Sequence, residues 1–129
     1  MMNPENVAKA NKALVLEVLN GVFVQRDASF VDRYFDASYR QHNPAIPNGP
    51  EAIKGLLPML NPELKYERGM ATAEGDLVMV HGRYTGWGPK PMVAVDIFRV
   101  VNGKLLEHWD VMQEEVPAAQ TQSGNAMFP

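Results

Sequence analysis

The stretch VAVDIFRVVNGKLLEHWDV, Val93 to Val111, decides how the rest of the chain is read. Two runs rich in β-branched and aromatic residues flank Asn102-Gly103, the pattern of a β-hairpin. Two closures fit it. In a two-residue type I′ turn Asp96 lies opposite Trp109, and Asp110 falls on the other face. In a three-residue loop, with Val101 and Asn102 helical and Gly103 left-handed in a bulge, Val100 pairs with Lys104 and Asp96 faces His108. Ala94, Asp96, Phe98, Leu106, His108, Asp110 and Met112 then share one face. Val93, Val95, Ile97, Arg99, Leu105, Glu107, Trp109 and Val111 take the other. A slip of one residue moves every side chain to the opposite face. The clean separation of a polar-centred face from an apolar one therefore favours the bulged loop, although Asn-Gly alone favours the shorter turn.

Working outward, the same period of two predicts strands over about Leu64 to Ala73, Leu77 to Thr85, Met92 to Val101 and Lys104 to Gln113. Turn residues separate them at Glu74-Gly75-Asp76, at Gly86 to Pro91 and at Asn102-Gly103, so the strands form an antiparallel meander. Upstream the period is helical. Asn3-Pro4-Glu5 is a helix start, and Val7, Ala10, Leu14, Val18 and Val22, with Leu19 and Phe23 beside them, predict a helix from about Pro4 to Val24. SFVDRYF predicts a short second helix with Ser29 as its cap. YRQHNP is a short extended piece, and Asn48-Gly49-Pro50-Glu51 opens a third helix that ends before Pro62. Helices first and strands afterwards make an α+β fold, with the helices on one face of a curved sheet.

At 129 residues the chain is of single-domain size, and residues 1–129 are read as one domain with about 114–129 as a C-terminal arm. A net charge of −3 supplies no basic surplus for nucleic acid. The absence of cysteine excludes disulfides, thiol nucleophiles and cysteine-bound zinc. The opening MMNPENVAKANKALVLEVL carries Glu5, Lys9, Lys12 and Glu17, so it reads as neither a signal peptide nor a membrane span. No membrane partner and a cytoplasmic location are expected. In the tail, Met127 and Phe128 are expected to dock against the body of the protein.

Asp96 and Asp110 each interrupt an apolar strand. A buried carboxylate costs several kcal/mol unless it is paired, hydrogen-bonded or neutralised, and the same environment makes a general acid or base; a ladder ion pair, Asp96 with Arg83 or Arg99, is the bland alternative. His42, His81 and His108, the only histidines, all fall in or beside predicted strands and are expected to share a pocket with the aspartates. A two-histidine, one-carboxylate metal site is chemically possible, but no HxH or HxxxH spacing supports it. Met79, Met92, Met112, Tyr84, Trp87 and Phe98 are candidates for an apolar lining. Ser29, Ser38 and Ser123 lack a nucleophile-elbow context, and GWGPKP lies between strands rather than opening a helix, so no phosphate loop is present.

In YRQHNP, alternation puts Arg40 and His42 on one face and Tyr39, Gln41 and Asn43 on the other. His42 is the expected pocket residue, with Tyr39 and Gln41 fixing the strand. Asn43 and Pro44 turn the chain, and Asn43 is also a candidate substrate contact.

The order of elements is similar to that of the nuclear transport factor two-like superfamily. More narrowly, YRQHNPAIPNGPEAIKGLL, LVMVHGRY, VDIFRVVNGKLLEHWDV and SGNAMF resemble SnoaL-like polyketide cyclase relatives, over nearly the whole chain. The resemblance implies a cone-shaped fold with a pocket between the helices and the concave sheet, a small-molecule substrate or ligand, and no metal or organic cofactor. It also implies that an aspartate of the C-terminal strands serves as acid/base in an intramolecular aldol condensation. Asp110 of EHWDV looks like that residue. Asp96 and His42 would complete the catalytic set, and His81, His108, Asn43, Met79, Phe98 and Trp87 would contact substrate. Two functions stay open: a cofactor-independent cyclase or isomerase, with hydration or epoxide opening as variants, and a non-catalytic binding or dimerisation module. On either, the apolar outer face bearing Val93, Val95, Ile97, Trp109 and Val111 is expected to pair with a second copy in a homodimer.

Overall fold

The computed structural model describes residues 3–129. Met1 and Met2, which head the stretch read above as neither signal peptide nor membrane span, lie outside the described residues. Helix α1, Pro4–Leu19, starts where the Asn3 side chain accepts a hydrogen bond from the Asn6 N–H at 2.9 Å, and it runs on into a π-helical turn, Asn20–Val24. The wider turn brings Val18, Leu19, Val22 and Phe23 against one cavity. The N-terminal half is mostly exposed, and Val7 of the expected stripe is 39 % exposed.

Helix α2, Ser29–Tyr34, starts one residue before the sequence pattern suggests: Ser29 is its first helical residue, the cap position falls on Ala28, and the Asp27 carboxylate just upstream accepts from the Ser29 N–H at 2.9 Å. Phe35, expected in this helix, opens strand β1, Phe35–Gln41. Helix α3, Pro50–Leu56, ends in a 3-10 turn, Leu57–Met59, ahead of Pro62. Strands β2, Lys65–Glu74, β3, Leu77–Thr85, β4, Met92–Val101, and β5, Lys104–Glu114, lie within a residue of their expected bounds. No helix among the described residues is long and apolar enough to cross a membrane.

The architecture is α+β, a five-stranded sheet of order β1-β5-β4-β3-β2 with helices packed on one face. The meander is antiparallel throughout, and β1 returns across the helices to pair parallel with β5. Val15, Val18 and Val22 of the first helix meet Val78, Val80, Val100 and Leu105 of the sheet, all at 1 % exposure or less.

The hairpin at Asn102-Gly103 closes by the shorter of the two expected turns, not the favoured three-residue loop, and its register further along matches neither expectation. Asn102 and Gly103 both have positive φ, 51° and 73°, and Val101 pairs with Lys104, which makes a two-residue type I′ turn rather than the three-residue loop. Val100 pairs with Leu105, but Arg99 pairs with Glu107, so Leu106 is an extra residue bulged out of β5. Beyond the bulge Phe98 lies opposite His108 and Asp96 opposite Asp110. The expected face therefore holds for Asp96, His108 and Asp110, while the partner of Asp96 does not. Packing gives the reason. Leu105, with no exposed surface, has to join Val100 in the core, and His108 faces the same side three positions on. Strict alternation cannot satisfy both, and one bulged residue can.

The tail folds back on the sheet. Val116 N–H donates to Met127 Sδ at 3.1 Å, and the Phe128 ring lies 5.5 Å from the His81 imidazole. Phe128 fits because residue 69 is glycine: a Cβ there would stand 2.9 Å from the Phe128 ring.

Candidate active site

The concave face, α1 and the segment from β1 to α3 enclose a cavity of about 50 Å³. That holds roughly three or four waters and is small beside ligand pockets of roughly 300–1,000 Å³. Most of the wall is apolar, including Phe23, Ile46, Leu56, Trp87, Phe98 and Met112, and no Lys or Arg lines it. Phe23, Tyr84 and Trp87 form an aromatic corner with ring centroids 5.6 to 6.5 Å apart.

The polar groups gather at the centre of the sheet. Asp96 of β4 and Asp110 of β5 occupy one rung, and His108 projects beside them from the same face. Their side chains are 6 %, 10 % and 8 % exposed, respectively. Asp96 is fully engaged: Oδ1 lies 2.8 Å from His108 Nε2, and Oδ2 accepts from the Tyr84 hydroxyl at 2.8 Å. Burial, with the neighbouring Asp96 charge, pushes the Tyr84 phenol well above its usual pKa, so it stays a neutral donor. Asp110 is half engaged. Its Oδ2 accepts from the Asn43 amide at 2.8 Å and lies 3.8 Å from His108 Nε2. Among the described residues its Oδ1 accepts no hydrogen bond, which leaves that oxygen for a ligand.

Asp96, His108 and Asp110 also bring possible ligand atoms within 4.8 Å of one another. This is one histidine with two carboxylates, not the two-histidine set considered from the sequence. Hydrogen bonds from Tyr84 and Asn43 and the contact with His108 already satisfy most of its oxygens. The bland alternative of an ion pair between Asp96 and Arg83 or Arg99 does not occur, because Arg83 joins Glu67 and Glu115 and Arg99 joins Asp76 and Glu107.

Of the residues singled out from the sequence, Asp96, Asp110, His108, Asn43, Phe98 and Trp87 line this cavity, and His42, His81 and Met79 do not. His42 sits on the outer side, where Nε2 lies 2.7 Å from Glu107 Oε2 and the ring stacks on Trp109 at 4.8 Å. The His42 bond is the main cause holding the Glu107 carboxyl below its usual range. The parallel register explains the reversal: Gln41 pairs with His108 and shares its inward face, so the next residue, His42, points outward. His81 and Met79 belong to the outward set of β3, His81 under Phe128 and Met79 40 % exposed. The outer face is uneven: Val93 is buried, and Val111 is 69 % exposed.

Two inward residues carry more than the sequence showed. Tyr84 is a hydrogen-bond donor to Asp96 and not only apolar lining. Gln41, read as a strand-fixing residue, has its Oε1 2.6 Å from His108 Nδ1. The signal for Gln41 was its spacing two residues from Asn43 and Tyr39, which keeps all three on one face.

The sequence pattern of the SnoaL-like domain family matches residues 15–108. No curated protein matches the chain by sequence. Among solved structures, a candidate ketosteroid isomerase from Kribbella flavida superposes with a TM-score of 0.72 at 16% identity, over 83% of this chain and 80% of that one. An LEH-like epoxide hydrolase from M. tuberculosis gives 0.66 at 16% identity, over 82% and 84%. IdmH, a candidate polyketide cyclase from Streptomyces antibioticus, gives 0.62 at 16% identity, over 80% and 91%. At these identities the likeness shows the fold, the cone of the nuclear transport factor two-like proteins.

Proposed function

Because the chain belongs to the SnoaL-like domain family, we propose that it is a small acid/base enzyme of the cyclase or isomerase kind, acting α to a carbonyl through its own side chains. One observation carries this reading. A part-buried carboxylate, Asp110, keeps one oxygen uncommitted in a mostly apolar cavity while its other oxygen is held by Asn43 at 2.8 Å. Desolvation there strengthens any charge that develops, and the fixed oxygen aims the free one.

In this scheme Asp110 Oδ1 takes the proton from the carbon next to a carbonyl. The bonding pair moves into the enolate, and His108, backed by Asp96, donates a hydrogen bond to the enolate oxygen. The enolate carbon then attacks a second carbonyl in the same molecule and closes a ring, or is reprotonated one position away in an isomerisation. Positioned acid/base catalysis of this kind contributes about 10²–10⁴-fold. The apolar wall without Lys or Arg suits an uncharged substrate.

The test is Asp110→Asn against a panel of small β-keto esters, dienones and epoxides. A fall in kcat of about 10²–10⁴-fold on the substrate turned over is expected. Unchanged turnover removes Asp110 as the base. Binding without turnover across the panel supports a non-catalytic ligand-binding module instead, and turnover confined to epoxides moves the reading to water activation by the same aspartate.

A further inference from the structure

Acid/base work at His108 depends on which ring nitrogen holds the proton. We propose that Gln41 is the positioning residue of this site: its side-chain oxygen keeps the proton on His108 Nδ1 and so makes Nε2 the atom that exchanges one. The proposal rests on the acid/base reading of the same cavity, but its readout does not require turnover.

Gln41 Oε1 lies 2.6 Å from His108 Nδ1 and 3.0 Å from the backbone nitrogen of Asn43. A backbone N–H can only donate. The Gln41 atom facing it is therefore the oxygen, because a reversed amide would set two donors against each other and strand the Asn43 N–H. A carbonyl oxygen has no proton to give, so the proton in the contact with His108 belongs to Nδ1. The amide is held at its other atoms as well. Gln41 Nε2 donates to the Tyr39 hydroxyl at 3.3 Å, and the residue's backbone, separately, is fixed by its N–H donating to Asn48 Oδ1 at 2.8 Å. The next backbone N–H, of His42, donates to the His108 carbonyl at 2.9 Å and ties the two strands at this rung.

With Nδ1 occupied, Nε2 faces Asp96 Oδ1 at 2.8 Å and Asp110 Oδ2 at 3.8 Å. In the reacting form of this scheme the one proton of that contact is on Nε2, which makes His108 an imidazolium beside the Asp96 carboxylate. When a substrate oxygen accepts it, the N–H bond breaks and the O–H bond forms. The imidazole is left in its neutral Nδ1–H form, ready to take a proton back. Gln41 acts through His108, as a carboxylate or carbonyl partner fixes a tautomer in other histidine sites.

The experiment is nitrogen-detected NMR of the histidine rings in the uniformly 15N-labelled full chain, with the His108 signals taken as those lost in His108→Asn. In the unsubstituted protein His108 Nδ1 is expected to be protonated, either alone or together with Nε2. Gln41→Glu keeps an acceptor and preserves that signature. Gln41→Leu removes it, and the Nδ1 signal moves toward the unprotonated position. If Gln41→Leu unfolds, the unsubstituted protein and Gln41→Glu still decide. Once a substrate is known, Gln41→Leu is expected to lower kcat by about 10²-fold with KM little changed. An Nε2-only tautomer in the unsubstituted protein, or an unchanged ring in folded Gln41→Leu, overturns the assignment whatever the activity. Full activity in Asp110→Asn together with the expected tautomer would remove the acid/base reading and leave the role of Gln41 standing.

Discussion

Tyr66 and Tyr84 invite the same substitution with different outcomes. They sit on neighbouring strands with ring centroids 4.8 Å apart, and both are buried, at 8 % and 4 % exposure. The Tyr84 hydroxyl donates to Asp96 at 2.8 Å, whereas the buried Tyr66 hydroxyl has no partner among the described residues. Tyr84→Phe removes a hydrogen bond to a charged group, about 1.5–3 kcal/mol, and leaves Asp96 Oδ2 without a donor. Tyr66→Phe removes a group that was already desolvated and unpaired, so it is neutral within about 0.5 kcal/mol or stabilising. Unfolding entropy near 2.1 cal/mol/K per residue gives about 0.27 kcal/mol/K over 129 residues. Tyr84→Phe should therefore lower Tm by about 6 to 11 °C, and Tyr66→Phe should lower it by no more than about 2 °C. Calorimetry on the two variants at one pH checks both values. Equal losses would refute the claim that the Tyr84 phenol holds Asp96, and with it the account of how that carboxylate is kept buried.

Alkaline stability is a second test. Burial raises the phenols of Tyr39, Tyr66 and Tyr84 above their ordinary 10.0, so below that pH both folded and unfolded chains keep these protons and stability is fully present. Above it the unfolded chain releases protons that the folded chain retains, and stability falls by about 1.4 kcal/mol per pH unit for each tyrosine, or about 4 kcal/mol per unit for all three. Urea unfolding between about pH 9 and pH 12 measures the slope, and a flat profile would contradict the burial of these rings. The proposed pairing of two copies across the outer sheet face predicts that Val111→Lys, at a position 69 % exposed, halves the mass seen by sedimentation. A mass equal to one chain before the substitution would remove the dimer.

The four strands of the meander were legible almost residue for residue, because their apolar and polar residues follow a period of two and turn residues punctuate the runs, whereas β1 begins at Phe35, a residue read as helical. The facing of Asp96 and Asp110 was legible for the same reason: the separation of a polar-centred face from a mostly apolar one is a property of the sequence pattern. What decided the details was non-local. The bulge at Leu106 answers to the burial of Leu105 against Val100, and packing between strands leaves no mark within either run alone. The side of β1 that faces the cavity depends on its parallel pairing with β5, a contact between Gln41 and His108 that neither local stretch encodes. His42 attracted attention as a chemically versatile residue type, yet its neighbour Gln41 occupies the inward position. The ketosteroid isomerase, epoxide hydrolase and polyketide cyclase structures share the cone and little sequence, so the placing of polar groups inside it has to be argued for each chain.

The bulged Leu106 bears on how sites of this kind are searched for. The rung that joins Asp96 to Asp110 is set by the ladder beyond the bulge, and the turn and Val100–Leu105 pair lie before it. Excising Leu106 would let Glu107 follow Leu105 directly while still facing Arg99, so the two carboxylates would remain on one rung with one residue fewer between them. Their separation along the chain is thus a poor signature, since a rigid text pattern would discard a relative whose cavity is built alike. A query that tolerates one inserted or missing residue after the Asn-Gly turn, and demands only that both carboxylates fall inward, follows the geometry instead.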